Sequence, residues 1–150
     1  MPRNPRALLT IPQQRRAHTL LALGYGAVVL VWLTPEDRTV WPVVILGSGL
    51  GALLGGLAVL RWGGGTILRP AQWIPGLVLG GALVGVLAVW STISLMIFKN
   101  AWHSHAYPDF PTSLIVDMAA RTLPWSVAGA CLGGALALLR WAWVLSSPPD

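Results

Sequence analysis

Three stretches of this chain, Thr39 to Leu60, Ile74 to Phe98 and Leu123 to Leu139, contain no Asp, Glu, Lys or Arg, and nothing else in the sequence restricts the fold as strongly. Uncharged apolar runs of about 20 residues match the hydrocarbon thickness of a bilayer, where a helix satisfies its backbone polar groups without water. A fourth run, Ala17 to Leu33, is shorter and follows the basic pair Arg15-Arg16. Charged residues make up only 10% of the sequence against 55% apolar ones, so water is the wrong solvent for it.

The expected class is therefore an all-α integral membrane protein with four transmembrane helices. The spans are placed at about 17–34, 40–61, 75–98 and 124–145, within a helical domain covering 12–145. Residues 1–11 read as a basic extended tail and 146–150 as a short C-terminal tail. The first run ends at Thr34-Pro35-Glu36-Asp37-Arg38 with no small-x-small cleavage pattern, so it reads as a retained helix rather than a secretory signal. Thr39 suits the N-cap of the second helix, which Gly63-Gly64-Gly65 stops, and Thr122 and Pro124 open the fourth. Between the third and fourth spans lies the long polar connection 99–122. Leu114, Ile115, Met118 and Ala119 recur there at helical spacing, which predicts a short helix lying along the membrane surface.

Orientation follows from the basic residues. Arg3, Arg6, Arg15, Arg16, Arg61, Arg69 and Arg140 fall on the side of the two termini, and Arg38, Lys99 and Arg121 on the other. The positive-inside tendency then makes both termini cytoplasmic and the 99–122 loop external, in a cell membrane. Arg outnumbers Lys nine to one and Ala and Gly abound, which associates the chain with a GC-rich bacterium and hence an inner membrane. The net charge of +5 does not gather on one polar face, so no nucleic-acid partner is expected. Trp41, Trp62, Trp73, Trp125 and Trp141 lie near helix ends as interface anchors, and Arg140 is placed to snorkel to the headgroups. The single cysteine, Cys131, lies in an apolar run and reads as a packing residue.

Arg38-Thr39-Val40-Trp41-Pro42 and Arg121-Thr122-Leu123-Pro124-Trp125 each lead into a glycine-rich helix, ending Leu60-Arg61-Trp62 and Leu139-Arg140-Trp141. Two duplicated hairpins would produce this pattern, and so would the narrow residue vocabulary of bilayer helices.

The strongest pattern concerns packing. Gly47, Gly51 and Gly55 recur every fourth residue, and Gly80, Gly81 and Gly85, then Gly129 and Gly133, mark similar faces on the later helices. Small residues four apart let another backbone approach closely. Three such faces exceed the needs of a small bundle, which points to a neighbour outside the chain. Gly47-Ser48-Gly49-Leu50-Gly51-Ala52 meets a loose dinucleotide-binding pattern but sits in mid-helix, and Gly63-Gly64-Gly65-Thr66 lacks the lysine of a phosphate loop.

Chemistry has one foothold, the outer loop, where His103, His105 and Asp109 could offer ligands to a metal or to a pigment. The central parts of the spans hold no carboxylate, Lys or His, only hydroxyls such as Ser48, Ser91, Thr92 and Ser94. Ion-coupled transport normally needs an ionisable group there, and an unactivated serine is no nucleophile. The expected role is a non-catalytic accessory or structural subunit, packed by other transmembrane subunits and lipid within a larger membrane complex, such as a respiratory or photosynthetic one. Two alternatives stand beside it: a small homodimeric channel or transporter lined by Ser91, Thr92 and Ser94, and an external metal or cofactor site at His103 and His105.

Overall fold

In the computed structural model, residues 8–12, 15–35, 38–103 and 107–146 are described. Five helices dominate: α1 (Arg15–Leu33), α2 (Val40–Gly63), α3 (Pro70–His103), α4 (Thr112–Ala120) and α5 (Thr122–Ser146). Four of them, all but α4, are long and apolar enough to cross a bilayer. Their outward faces carry residues such as Leu21, Val31, Leu79 and Leu138, which suit hydrocarbon.

The third helix is longer than expected, starting at Pro70 and running to His103 rather than spanning 75–98. Pro70 occupies the first helical position, where its missing N–H removes no bond, and Pro75 forgoes a single bond in the second turn. At the other end the added turn from Lys99 to His103 is held by Trp32 at Lys99, by the Phe110 backbone at Asn100 and by Asp109 at His103. With 34 residues, α3 extends for about 50 Å, past the roughly 30 Å hydrocarbon core.

Around this long helix the others are arranged unequally. α3 packs along α5 on one side and α2 on the other, whereas α1 meets only α2 to any extent, and lightly. The apolar core lies toward the loop end of the bundle, where Val43 and Leu46 from α2 meet Val89, Ile93 and Met96 from α3 under Phe110 and Met118. Two hairpins of common origin would be expected to pack alike. Here the glycine faces bring α3 against α5, while α1 presents Gly24 and Gly26 to open space.

The opposite end is closed by a feature the sequence did not announce. Part of the N-terminal tail is paired: β1 (Leu9–Thr10) runs antiparallel to β2 (Ile67–Leu68), with Leu9 opposite Leu68 and Thr10 opposite Ile67. The pairing continues as Ile11 N–H donates to Thr66 O at 3.1 Å and Gly65 N–H to Ile11 O at 2.9 Å. Gly65 turns the chain at φ 86°, where a side chain would be strained.

Candidate functional site

The last turns of α3 put Lys99, Asn100 and His103 at the loop end of the bundle, with Asn100 and His103 three apart and so on one face. Asn100 makes a two-way bond to the backbone of Phe110. Its Nδ2 donates to Phe110 O at 2.8 Å, and its Oδ1 accepts from Phe110 N–H at 2.9 Å. Phe110 is thereby held in the core, fully buried. One turn on, His103 Nδ1 lies 2.5 Å from Asp109 Oδ2, and Asp109 is itself 4% exposed. These contacts fix Asp109 and Phe110 against the end of α3, since each satisfies groups that burial would otherwise leave without water.

Lys99 is fully buried, with Nζ 4.4 Å from the centroid of the Trp32 ring. The ring face carries negative potential, so the pair offsets part of the cost of removing the ammonium from water. Two polar atoms in this region have no hydrogen-bond partner among the described residues, Asp109 Oδ1 and Trp32 Nε1.

What this cluster can do chemically is limited by its donors. With Nδ1 committed to a carboxylate, His103 is held in one ring orientation and only its Nε2 could approach a ligand, the arrangement by which a carboxylate orients a ligating histidine. Asp109, expected as a ligand, serves His103 instead. His105 lies outside the described residues. Among the described residues, no three of His, Cys, Asp or Glu come together to hold a metal ion.

Of the hydroxyls expected to line a pore, Thr92 donates to Ala88 O and Ser94 to Trp90 O on their own helix, as Ser48 does to Val44 O on α2. Ser91 and Thr92 are buried.

The packing glycines lie where backbones meet. Gly47 faces Thr92, Gly51 faces Ala88, and Gly55 faces Val84, so all three lie against α3. Gly81 and Gly129 face one another, Gly85 meets the backbone of Trp125 and Ser126, and Gly133 meets that of Leu77 and Val78, all between α3 and α5. Gly80 has nothing within 4 Å of the place a methyl would occupy. Seven of the eight therefore lie at contacts within the chain, and the reason for assigning them to an external neighbour falls away.

The interface anchors divide. Trp41 and Trp62 are well exposed at helix ends, Trp125 is half-buried and Trp141 lies at 37% exposure. Trp73 is buried at 1%, and Arg140 places its guanidinium 5.4 Å from the centre of that ring while Nη2 donates to Leu8 O at 2.8 Å. Arg140 thus ties the residue before the N-terminal strand to α5, with the buried Trp73 ring beside its guanidinium. A guanidinium finds there a carbonyl and an aromatic face, stronger partners than its long side chain would meet unaided.

Asn100, Lys99 with Trp32, and the pair His18 and Tyr25 escaped the sequence reading as structural contacts. His18 Nε2 lies 2.9 Å from Leu53 O, and the Tyr25 hydroxyl donates to Leu46 O. Their rings sit over Gly56 and Gly49 of α2. The signal was present, because both pairs are separated by seven residues, the heptad spacing of an antiparallel helix contact.

No protein-family model, curated protein or solved structure matches this chain.

Proposed function

We propose that the chain is a multi-pass integral membrane protein that acts as a non-catalytic subunit of a larger membrane complex, docking through the loop end of its bundle. The observation that carries this is the two-way bond between Asn100 and the Phe110 backbone, which ties the segment leading into α4 to the end of α3. Around that tie, Trp102 and Tyr107 stand 60% and 78% exposed, and Val116 lies open on α4. Aromatic side chains on a rigid support supply binding area at small entropic cost, and such residues dominate protein interfaces. Within the spans, the hydroxyls of Ser48, Thr92 and Ser94 donate to backbone carbonyls of their own helices. On this reading the loop end is external by the charge argument, the membrane is a bacterial inner membrane by the composition argument, and the complex is one such as a respiratory or photosynthetic assembly.

The test uses the full chain extracted from its own membrane in mild detergent and resolved by native electrophoresis. The 16.0 kDa chain migrates with a defined set of larger subunits, and both Trp102→Ala with Tyr107→Ala and Asn100→Ala release it. Migration of the unaltered chain alone, or retention of the double variant in the complex, overturns the reading. Retention is what aromatics serving only as headgroup anchors would give.

A second reading, favoured by the His103–Asp109 contact, makes His103 a ligand to a metal or pigment at the membrane surface. Metal analysis and an absorption spectrum of the purified chain test it. His103→Ala abolishes bound metal or colour on this reading, and a colourless, metal-free unaltered protein ends it.

A further inference from the structure

Beside α1 runs an apolar groove of about 770 Å³, walled by Leu23 and Leu30 of α1, Leu50 and Leu57 of α2, and Leu95 and Phe98 of α3. It reaches from His18 to Leu33, so its length along α1 is about 22 Å, more than the roughly 15 Å depth of one bilayer leaflet. Its two longest walls end in the same way. Arg16 stands three residues before Thr19 and seven before Leu23, and Arg61 stands four residues after Leu57 and seven after Leu54, all four of the latter residues lining the groove. Helical periodicity therefore puts one arginine at the mouth on each wall, since residues three, four and seven apart share a face. His18, which packs against α2 at Leu53 and Gly56, fixes the two walls together at this end.

Among the described residues the mouth has no acidic counterpart. Arg16 and Arg61 are exposed, and neither takes part in an ion pair among the described residues. The acidic side chains among the described residues, Asp109 and Asp117, belong to the connection between α3 and α5 at the other end of the bundle. A groove with hydrocarbon walls and two exposed guanidinium groups at one mouth is complementary to a molecule with an apolar tail and an anionic head. Guanidinium matches phosphate oxygens in geometry as well as in charge.

We infer that the groove between α1, α2 and α3 is a binding site for one anionic phospholipid, its acyl chain along Leu23, Leu30, Leu50 and Leu57 and its phosphate between Arg16 and Arg61. The lipid comes from the leaflet on the side of the chain termini. This rests on the membrane-spanning reading above, not on the docking of a partner at the loop end. The occupant also accounts for the slight packing of α1, because an acyl chain fills the space that a closer helix contact would otherwise take.

Native mass spectrometry of the full chain in mild detergent, titrated with phosphatidylglycerol or with phosphatidylcholine of the same chains, tests the site. The chain retains one phosphatidylglycerol, preferred over phosphatidylcholine by roughly thirtyfold, the combined effect expected of two arginines beside an anionic headgroup. Arg16→Gln with Arg61→Gln abolishes the preference while circular dichroism stays unchanged. Gly26→Leu, at a groove position with nothing within 4 Å of its would-be methyl, lowers the retention of both lipids. Equal retention of the two lipids by the unaltered chain, a preference that survives the double arginine change, or a dimer mass in place of the lipid adduct overturns the proposal. Failure of the membrane reading shows separately, as release of the chain from membranes by alkaline carbonate without detergent.

Discussion

Tyr25 and His18 hold α1 with two hydrogen bonds to carbonyls of α2, seven residues apart on each helix. In a bilayer there is no hydrophobic gain in bringing two helices together, so such bonds and the notches at Gly49 and Gly56 supply much of the attachment. Tyr25→Phe removes one bond while keeping the ring over Gly49. The expected loss is about 0.6 kcal/mol and at most roughly 1.7 kcal/mol, the range found for single polar contacts between membrane helices. Unfolding of the detergent-solubilised chain by dodecyl sulfate measures it, and a larger effect would mean that the ring rather than the hydroxyl was displaced. Glycine positions make a sharper contrast. A methyl at Gly85 meets the backbone of Trp125 and Ser126, which cannot swing aside, so Gly85→Ala forces α3 and α5 apart at about 1–3 kcal/mol. Gly80→Ala, in open space, leaves the same unfolding curve unmoved.

Among the elements, α3 is the mast of the bundle and α1 its least supported member. The two polar contacts, Trp32 beside Lys99, buried Leu33 and Val29 packed on the core are what hold α1 among the described residues. Arg140→Met keeps the side-chain stem over Trp73 but deletes the bond to Leu8 O. The amides of Ile11 and Gly65, which donate within the strap, then exchange faster with deuterium, while those in the middle of α3 keep their protection. The helices themselves were legible as charge-free runs, because hydrophobicity over a fixed length needs no knowledge of neighbours. The strap was not, since β1 finds its partner more than fifty residues away and two-residue strands leave no periodic trace. The extra turn and a half of α3 was hidden for a related reason. Lys99 and Asn100 look like the start of a polar loop until their partners, Trp32 and the backbone of Phe110, are brought to them by the fold.

At the scale of the molecule, the bundle has two unlike ends. One joins residues 8–12, the α2–α3 turn and Arg140, and the other joins Trp32, Lys99 to His103 and the segment leading into α4. If the chain spans a bilayer, cysteines introduced at Thr66 and Tyr107 are labelled by an impermeant maleimide from opposite faces of sealed vesicles. Labelling of both from one face would remove the transmembrane reading. The glycine stripes showed which helices seek close neighbours but not which neighbours, because a small residue advertises an approach without naming its partner. For the same reason His103 and Asp109 could be singled out as a pair in sequence, while the direction of their contact, carboxylate serving imidazole, needed three dimensions.

The short strand pairing has a consequence for biosynthesis. β1 leaves the ribosome before any of its partners exist: Ile67 and Leu68 follow only after two helices, and Arg140 after all of the others. Domains generally form from the N-terminus onward during translation, yet here the first described residues must wait for nearly the last. The strand pairing can close once residues 67 and 68 have emerged, but its last tie, from Arg140 to Leu8 O, forms only after residue 140, so a chain halted before that point would have its leading segment paired without being clamped.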